Sequence, residues 1–287
     1  MAYDEQLFTM CHDGEIEEVK KILARGGDPN KKLSIIGLTA LHVAAVHGHQ
    51  EVVALLLEQP EIAVDAADNN GCTALHHAAH KGHQEVVTLL LQQPVVDLTA
   101  SSHVGSTALH EAAAQGHWGI LALLLEQSGV DVNGADNDGV TALHHAAGNG
   151  HQEVVALLLE QPEIGVNVAS IDGLTALHIA AFQGHEAVLA LLLDHPGVDK
   201  QATTNWGATV LHSACTGNSG PDILRRLLTI PDIDVKNQEG HTPIMNLLER
   251  NNNIDIQRDC FQAMLDSDQV DLDVKDLEGR GLEDLAR

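Results

Sequence analysis

The sequence predicts an all-α solenoid in which helix-turn-helix units with extended turn tips stack on one another. The first observation is the tetrapeptide Thr-Ala-Leu-His, which recurs every 34 residues and begins at Thr39, Thr73, Thr107, Thr141 and Thr175. The second is a Gly-His pair nine residues after the start of each copy. The third is an apolar stripe at helical spacing after each pair, as in residues 154–159. A fixed period in the thirties indicates a stacked repeat.

The unit that begins at Thr141 shows how the residues dictate local structure. Thr141 can cap the N-terminus of a first helix, because its hydroxyl accepts an unpaired backbone N–H. Gly150 can end that helix in a left-handed conformation. A second helix is predicted from about Gln152, and Pro162 stops it. One unit cannot bury its apolar face alone, so the copies must stack.

At the tetrapeptide the chain resembles the ankyrin repeat, whose signature is Thr-Pro-Leu-His-x-Ala with a period of about 33 residues. This chain mostly has Ala where the family has Pro. Thr209-Val-Leu-His continues the register, and Thr242-Pro-Ile-Met follows 33 residues later. The resemblance implies an ankyrin-repeat solenoid that binds a partner protein on its turn tips and on the inner, concave face of its first helices.

The register divides the chain into about nine units, and we expect residues 1–287 to form a single array. Residues 3–36 read as an N-terminal capping unit with a charged outer face, and residues 37–240 as regular repeats. Residues 241–287 read as divergent C-terminal units, with a polar loop at Asn251–Asn253. The segment 279–286 resembles the start of a further unit, so it is either a terminal cap or the sign of a truncated chain. We expect truncation.

Composition and charge restrict the class of partner. Apolar residues make up 44% and aromatic residues only 2%, which predicts a core of Ala, Leu and Val. The net charge is −26, and between Gly37 and Pro221 there are 19 acidic residues but only two basic ones, Lys81 and Lys200. Such a surface repels nucleic acid and anionic membranes. A basic protein or peptide is the complementary partner, although acidity can also serve solubility alone.

The cysteines and the chain ends bear on the cellular setting. Cys11, Cys72, Cys215 and Cys260 fall in different repeats and form no CxxC motif, which suits a reducing compartment. The N-terminus has no apolar secretory segment, and no apolar run approaches the 18 residues of a membrane helix. We therefore expect a cytoplasmic monomer that does not insert directly into membranes.

The 19 histidines raise the question of a metal site or of acid–base chemistry. Eleven recur in the tetrapeptide or in the Gly-His pair, and their regularity together with the family resemblance predicts structural roles. The others include His47 and His80, which with the residues that follow the tetrapeptide His, namely His77, Glu111 and His145, form a strip on the inner face. Equivalent side chains of neighbouring units lie on separate layers, too far apart for shared zinc ligation. We expect no metal or cofactor, and a pH-sensitive binding surface as the alternative.

No motif of an enzyme is present in the sequence. Gly-x-Ser-x-Gly, a phosphate-binding loop and a catalytic Cys/His signature are all missing. Repeats account for every segment, which leaves no second domain to hold an active site. The sequence therefore predicts a protein that is not an enzyme.

Positions that vary while the frame repeats are the candidates for partner binding. They include two apolar clusters. The first consists of Ile35, Ile36, Leu38 and Val46 near the N-terminal end, and the second of Ile171, Leu174, Ile179, Phe182 and Trp206. Exposed apolar patches mark interaction sites, and Trp is enriched in binding hot spots.

Three functional hypotheses follow. The first is a non-catalytic scaffold or adaptor that presents a concave acidic groove with an apolar patch. The second is the targeting or regulatory segment of a longer multidomain protein, such as an enzyme or a channel. The third is a purely structural array without a dedicated ligand. The sequence favours the first.

Overall fold

A computed structural model describes residues 2–249, 254–267 and 270–285, so the polar loop predicted at Asn251–Asn253 lies outside the described residues. The described chain forms seventeen helices, and its only β pairing is a few isolated bridges. The predicted all-α helix-turn-helix architecture is confirmed. The chain packs as two compact units, Met1–Asp138 and Gly139–Arg287. That residues 1–287 form a single array stays a prediction.

The first unit consists of four helix pairs. First helices pack against first helices, and second helices against second helices. The helices are α1 (Ala2–Asp13), α2 (Ile16–Ala24), α3 (Ala40–His47), α4 (Gln50–Leu57), α5 (Ala74–Lys81), α6 (Gln84–Leu91), α7 (Ala108–Gln115) and α8 (Trp118–Leu125).

The second unit repeats this arrangement with four pairs and one further short helix. The helices are α9 (Ala142–Asn149), α10 (Gln152–Leu159), α11 (Ala176–Gln183), α12 (Glu186–Asp194), α13 (Val210–Thr216), α14 (Pro221–Leu227), α15 (Pro243–Glu249), α16 (Ile254–Leu265) and α17 (Leu282–Leu285). Eight pairs and a single helix agree with the predicted count of about nine units.

The tetrapeptide histidines close the N-termini of their first helices, and four of them also bond the next turn tip, namely His42, His76, His144 and His212. The Thr39 backbone N–H donates to Nδ1 of His42 at 3.2 Å, so this nitrogen carries no proton. The Nε2–H of His42 therefore donates to the carbonyl of Cys72, 30 residues further along, at 3.0 Å. His76 makes the same bond to the carbonyl of Ser106. The predicted structural role of these histidines is confirmed.

In four Gly-His pairs the histidine connects a repeat to the one before it, namely His49, His83, His117 and His185. His83 lies at the start of α6, and its Nε2–H donates to the carbonyl of Val46 at the end of α3. His117 makes the equivalent bond to the carbonyl of His80. The preceding glycines end the first helices in the left-handed conformation, as predicted for Gly150. These bonds satisfy carbonyls that a helix C-terminus leaves unpaired.

The core is made of thin layers of small and aliphatic side chains. Paired alanines such as Ala112 and Ala113 are fully buried and let neighbouring first helices approach closely. On α4, α6 and α10 a Val-Val-x-x-Leu pattern turns inward, as in Val154, Val155 and Leu158. The low aromatic content is therefore what this close stacking requires.

Candidate protein-binding surfaces

Each turn tip is a tight hairpin that precedes the capping threonine. In the tip at residues 204–208, the Thr204 hydroxyl accepts the backbone N–H groups of Trp206 and Ala208 at 3.3 and 3.2 Å. Gly207 has φ +73°, a conformation that glycine adopts without strain and that the reversal requires. Trp206, at the outermost corner, is therefore held on a rigid backbone.

Successive tips are tied to one another by their backbones. Within the second unit, the Asn205 N–H donates to the carbonyl of Asp172, and its Nδ2 donates to the carbonyl of Ile171 at 2.7 Å. The next tip continues the ladder, because the Gln238 N–H donates to the carbonyl of Trp206 at 2.8 Å. Ile171 and Trp206 thus lie on adjacent tips.

Three large apolar side chains of the predicted second cluster are exposed. The exposed fraction is 62% for Ile171, 44% for Phe182 and 53% for Trp206. Phe182 lies at the end of α11, where its carbonyl accepts the N–H of Asn218 at 2.6 Å. We call Ile171, Phe182 and Trp206 the tip patch.

The two other members of the second cluster have partly structural roles. Ile179 is half-buried, and a Cβ atom added to Gly148 would lie 3.1 Å from its Cγ2, so Ile179 packs closely on α9. Leu174 is also half-buried, and its carbonyl accepts the Nε2–H of His144. Both residues form the base of the tip patch.

The first cluster is divided in a similar way. Ile35 is 98% exposed, and Ile36 beside it is also exposed. Their carbonyls accept the side-chain and backbone N–H groups of Asn69 on the next tip. Leu38 is half-buried and pairs with Leu33 through its carbonyl at 2.8 Å. The exposed part of this cluster is therefore the isoleucine pair alone.

In the predicted His/Glu strip, two histidines form carboxylate pairs. His77 Nε2 lies 3.0 Å from Oδ2 of Asp68, whose side chain is completely buried. Burial raises the pKa of Asp68, but the N–H groups of Asn70 and Cys72 and the His77 contact outweigh burial and lower this pKa. The Asp68–His77 pair lies within one repeat, where it ties α5 to the turn tip that precedes it.

The second pair joins two successive repeats of the first unit. His80 Nδ1 on α5 lies 2.8 Å from Oε2 of Glu111 on α7. The Ser106 hydroxyl donates to Oε1 of the same carboxylate at 2.8 Å. Burial raises the pKa of Glu111, but the bonds from Ser106 and His80 outweigh burial and lower it. Glu111 is thus an ordered anion with both oxygens occupied.

The remaining histidines of the strip are placed differently. The exposed His47 bonds the carbonyl of Val43 through Nδ1 at 2.9 Å, and its ring centroid lies 4.2 Å from that of His12. The half-buried His145 has its carbonyl bonded to Asn149. Within the described ranges, no three His, Cys, Asp or Glu side chains converge in a way that could hold a metal ion.

Comparison with known families decides the class of this chain. The model described as ankyrin repeats (3 copies) matches residues 7–102, 95–170 and 161–230. The chain belongs to the ankyrin-repeat family. Ankyrin repeats generally mediate protein–protein interaction, and ankyrin-repeat domains are typically non-catalytic. A search of curated proteins gives no match.

The acidic charge of this ankyrin-repeat chain lies mainly away from the inner face. Of the 19 acidic residues between Gly37 and Pro221, 14 lie on second helices or in the loops that follow them. The other five, Asp68, Glu111, Asp136, Asp138 and Asp172, lie on the tips and first helices. The regular glutamates thus belong to the second helices, and a concave acidic groove stays a prediction that depends on these five residues.

Several exposed apolar side chains of the ankyrin repeats were not predicted as site residues, among them Val95, Trp118 and Leu277. Val104, one of the variable tip positions, is also exposed and occupies the same tip position as Ile36 and Trp206. Trp118 replaces a glutamine at the start of a second helix. The family resemblance indicates binding on tips and first helices, not on second helices. No helix in the described part of the chain combines the length and apolar character of a membrane span.

Proposed function

We propose that this protein is a non-catalytic scaffold or adaptor that binds a partner protein or peptide through the tip patch. The observation that carries the proposal is the exposure of Ile171, Phe182 and Trp206 on a backbone that hydrogen bonds hold rigid. A fixed apolar surface loses little conformational entropy when a partner covers it. A few residues, Trp prominent among them, supply most of the binding energy in many interfaces, and aromatic side chains are enriched there.

The core does not need these three side chains. The same repeats already bury Ala180, Ala181 and Leu177 between the first helices, and Val188 and Leu192 on the second helix. An apolar side chain that packing does not require is available for a partner. This property distinguishes the tip patch from the half-buried Leu174 and Ile179 beneath it.

The proposed partner is an extended peptide segment with apolar side chains flanked by basic ones. Asp172 follows Ile171 in its tip, and Glu239 follows Gln238 in the tip after Trp206. Both side chains are exposed. Rim charges of this kind steer a basic partner and fix its orientation more than they add affinity. We propose that the protein acts as a monomer, because one chain supplies the whole patch.

The test is selection of binders from a peptide library displayed on phage, followed by affinity measurement with purified protein. The double variant Phe182→Ala/Trp206→Ala removes the exposed part of the patch. The matched control, Val95→Ala/Val104→Ala, removes two exposed apolar side chains in the first unit, outside the tip patch. Since one hot-spot side chain contributes about 2 kcal/mol, the double variant should weaken binding by about 30-fold or more.

Circular dichroism and urea unfolding of both variants establish that the repeats remain folded. Unchanged affinity in the folded patch variant contradicts the proposal. Equal losses in the patch and control variants also contradict it, because binding would then be general apolar adhesion. Light scattering at the working concentration tests whether the protein is a monomer.

A further inference from the structure

We propose that the second helices of the first unit form another docking surface, which takes a basic amphipathic helix of a partner protein. The surface comprises the groove between α4 and α6 together with Trp118 on α8. It lies on the opposite helix of each repeat from the tip patch and belongs to the other compact unit. The inference therefore does not depend on the function proposed for the tip patch.

The groove between α4 and α6 has a volume of about 360 Å³. Ala54, Thr88 and Leu89 form its base, and Gln50, Glu51 and Glu85 form its rim. On its opposite side α4 buries Val52, Val53 and Leu56 in the core, so the groove faces outward. Small side chains at Ala54 and Thr88 leave room for side chains of a helix laid into the groove.

The helices that line the groove carry charge of a single sign, and Lys20 and Lys21 of the neighbouring α2 are paired with glutamates of α2 itself. The helices α4, α6 and α8 with their C-terminal caps carry Glu51, Glu58, Glu85 and Glu126, and no Lys or Arg. Nucleic acid and anionic membranes are therefore repelled. An apolar base with an anionic rim matches a helix with one apolar face and one face of lysines or arginines. The charge therefore specifies the occupant.

Trp118 is a second, independent observation. It is 61% exposed and occupies the helix position that Gln50 and Gln84 hold on α4 and α6. The next residue, Gly119, stands where those helices have glutamate, and a Cβ atom there would lie 2.6 Å from Oε1 of Gln84. Gly119 thus lets α6 and α8 approach at the base of Trp118. Trp118 does not line the groove but lies on α8, which packs next to α6, and an exposed Trp is a typical anchor of a binding surface.

The second unit lacks this combination on its second helices. Arg226 on α14 lies 2.9 Å from Asp194 on α12, and Arg225 pairs with Asp222. These arginines neutralise part of the acidic charge, and the helix positions equivalent to Trp118 hold Gln152 and Glu186. The anionic apolar surface is therefore specific to the first unit, although both units share the repeat.

The experiment uses Trp118 as its own reporter. The chain has only two tryptophans, so Trp206→Phe leaves Trp118 as the sole source of tryptophan fluorescence. The probe is a synthetic helical peptide with leucines on one face and lysines on the other. The expected result is a saturable blue shift of Trp118 emission as the peptide excludes water from the ring.

Two charge reversals locate the site. Glu51→Lys/Glu85→Lys reverses the rim of the groove, and Glu153→Lys/Glu186→Lys makes the same net change on α10 and α12. We expect the groove reversal to weaken binding by about tenfold or more, while the matched reversal changes it by less than about threefold. A scrambled peptide of the same composition, without an apolar face, should bind at least about tenfold more weakly.

Three results would overturn the proposal. The first is an unchanged Trp118 spectrum at saturating peptide. The second is an equal loss of affinity in both charge reversals, or equal binding of the scrambled peptide, since either would mean attraction to the overall negative charge. The third is a concentration-dependent shift of Trp118 emission without peptide, which would assign the surface to a second copy of the chain. Circular dichroism confirms that each variant is folded.

Discussion

His80 on α5 and Glu111 on α7 lie 2.8 Å apart, and their contact joins the first helices of two successive repeats. The residues are 31 positions apart in the sequence, at different positions within their repeats. Glu111 also accepts the hydroxyl of Ser106 from the tip that precedes its helix. The contact therefore couples one repeat to both the tip and the first helix of the next.

Glu111→Gln should destabilise the first unit by about 1 kcal/mol at neutral pH, because bonds to a charged acceptor become bonds to a neutral one. The pKa of Glu111 is lowered in the folded state, so its contribution is present above the ordinary Glu pKa of about 4.3 and is lost as pH falls through the folded pKa. The difference between wild type and variant in urea unfolding should shrink below about pH 4.

Glu126→Gln is the matched control, since it removes the same charge from an exposed position at the end of α8. It should leave the unfolding free energy unchanged or slightly raised, because it relieves repulsion among like charges. Equal destabilisation by both variants would show that the bonds to Glu111 contribute nothing specific.

The tetrapeptide histidines should make the protein sensitive to mild acid. Burial lowers the pKa of His42 and of His178 to about 4, and lowers that of His76 and His212. Below the ordinary His pKa of about 6.5 the unfolded chain binds protons that the folded chain does not. The contribution of these neutral histidines to the free energy of unfolding is therefore fully present above about pH 6.5, and it is lost as pH drops toward 4.

His42→Gln tests this, because glutamine has an acceptor for Thr39 and a donor for Cys72 but does not titrate in this range. We expect a lower free energy of unfolding than in wild type at pH 7. Between pH 6.5 and 5 this free energy, measured by urea unfolding, should fall less steeply than in wild type, by up to about 1.4 kcal/mol per pH unit. An unchanged slope would show that His42 protonates equally in both states.

Periodicity explains why so much of the fold was predictable. The roles of Thr141 and Gly150 depend on bonds within a few residues, so one repeat is enough to assign them. The sequence does not show that His77 bonds Asp68 of its own tip while His80 bonds Glu111 of the next repeat. Those choices depend on side-chain rotamers across a packed interface.

The outward groove was not predictable for a related reason. Its openness depends on the spacing of α4 and α6 and on which small side chains, Ala54 and Thr88, face each other across them. Neither is a property of a single repeat. The family resemblance points to tips and first helices, so it does not indicate the second helices around Trp118.

Asp234→Asn should stabilise the protein. Asp234 Oδ2 accepts the N–H of Asp271, but its buried Oδ1 has no hydrogen-bond donor among the described residues. In the second unit, Asn167 occupies the same position of its repeat and makes two bonds, accepting the N–H of Asp199 and donating to the carbonyl of Gly197. Burial, opposed by the Asp271 N–H, raises the pKa of Asp234.

A raised folded pKa means that the stability from this group is fully present below the ordinary Asp pKa of about 3.9 and is lost as pH rises through the folded value. Asparagine does not ionise and so avoids this loss. The free energy of unfolding of Asp234→Asn should therefore exceed that of wild type by about 0.5–1 kcal/mol at pH 7, and the difference should vanish near pH 3. Asp65→Asn, at the equivalent position of the first unit, should behave in the same way. Urea unfolding at both pH values measures the gain, and a loss at pH 7 would contradict the argument.

Gly82→Ala should destabilise the first unit by about 2–3 kcal/mol. Gly82 has φ +80°, which costs an alanine about 1–2 kcal/mol, and the added Cβ would lie 2.7 Å from Cε1 of His117. His117 would have to move, and its bond to the carbonyl of His80 would be lost at a further cost of about 1 kcal/mol. Gly26→Ala separates the two effects, because Gly26 has φ +90° but no atom within 4 Å of the added Cβ. The control should lose only the conformational part, and equal losses in both variants would show that the His117 contact contributes no stability.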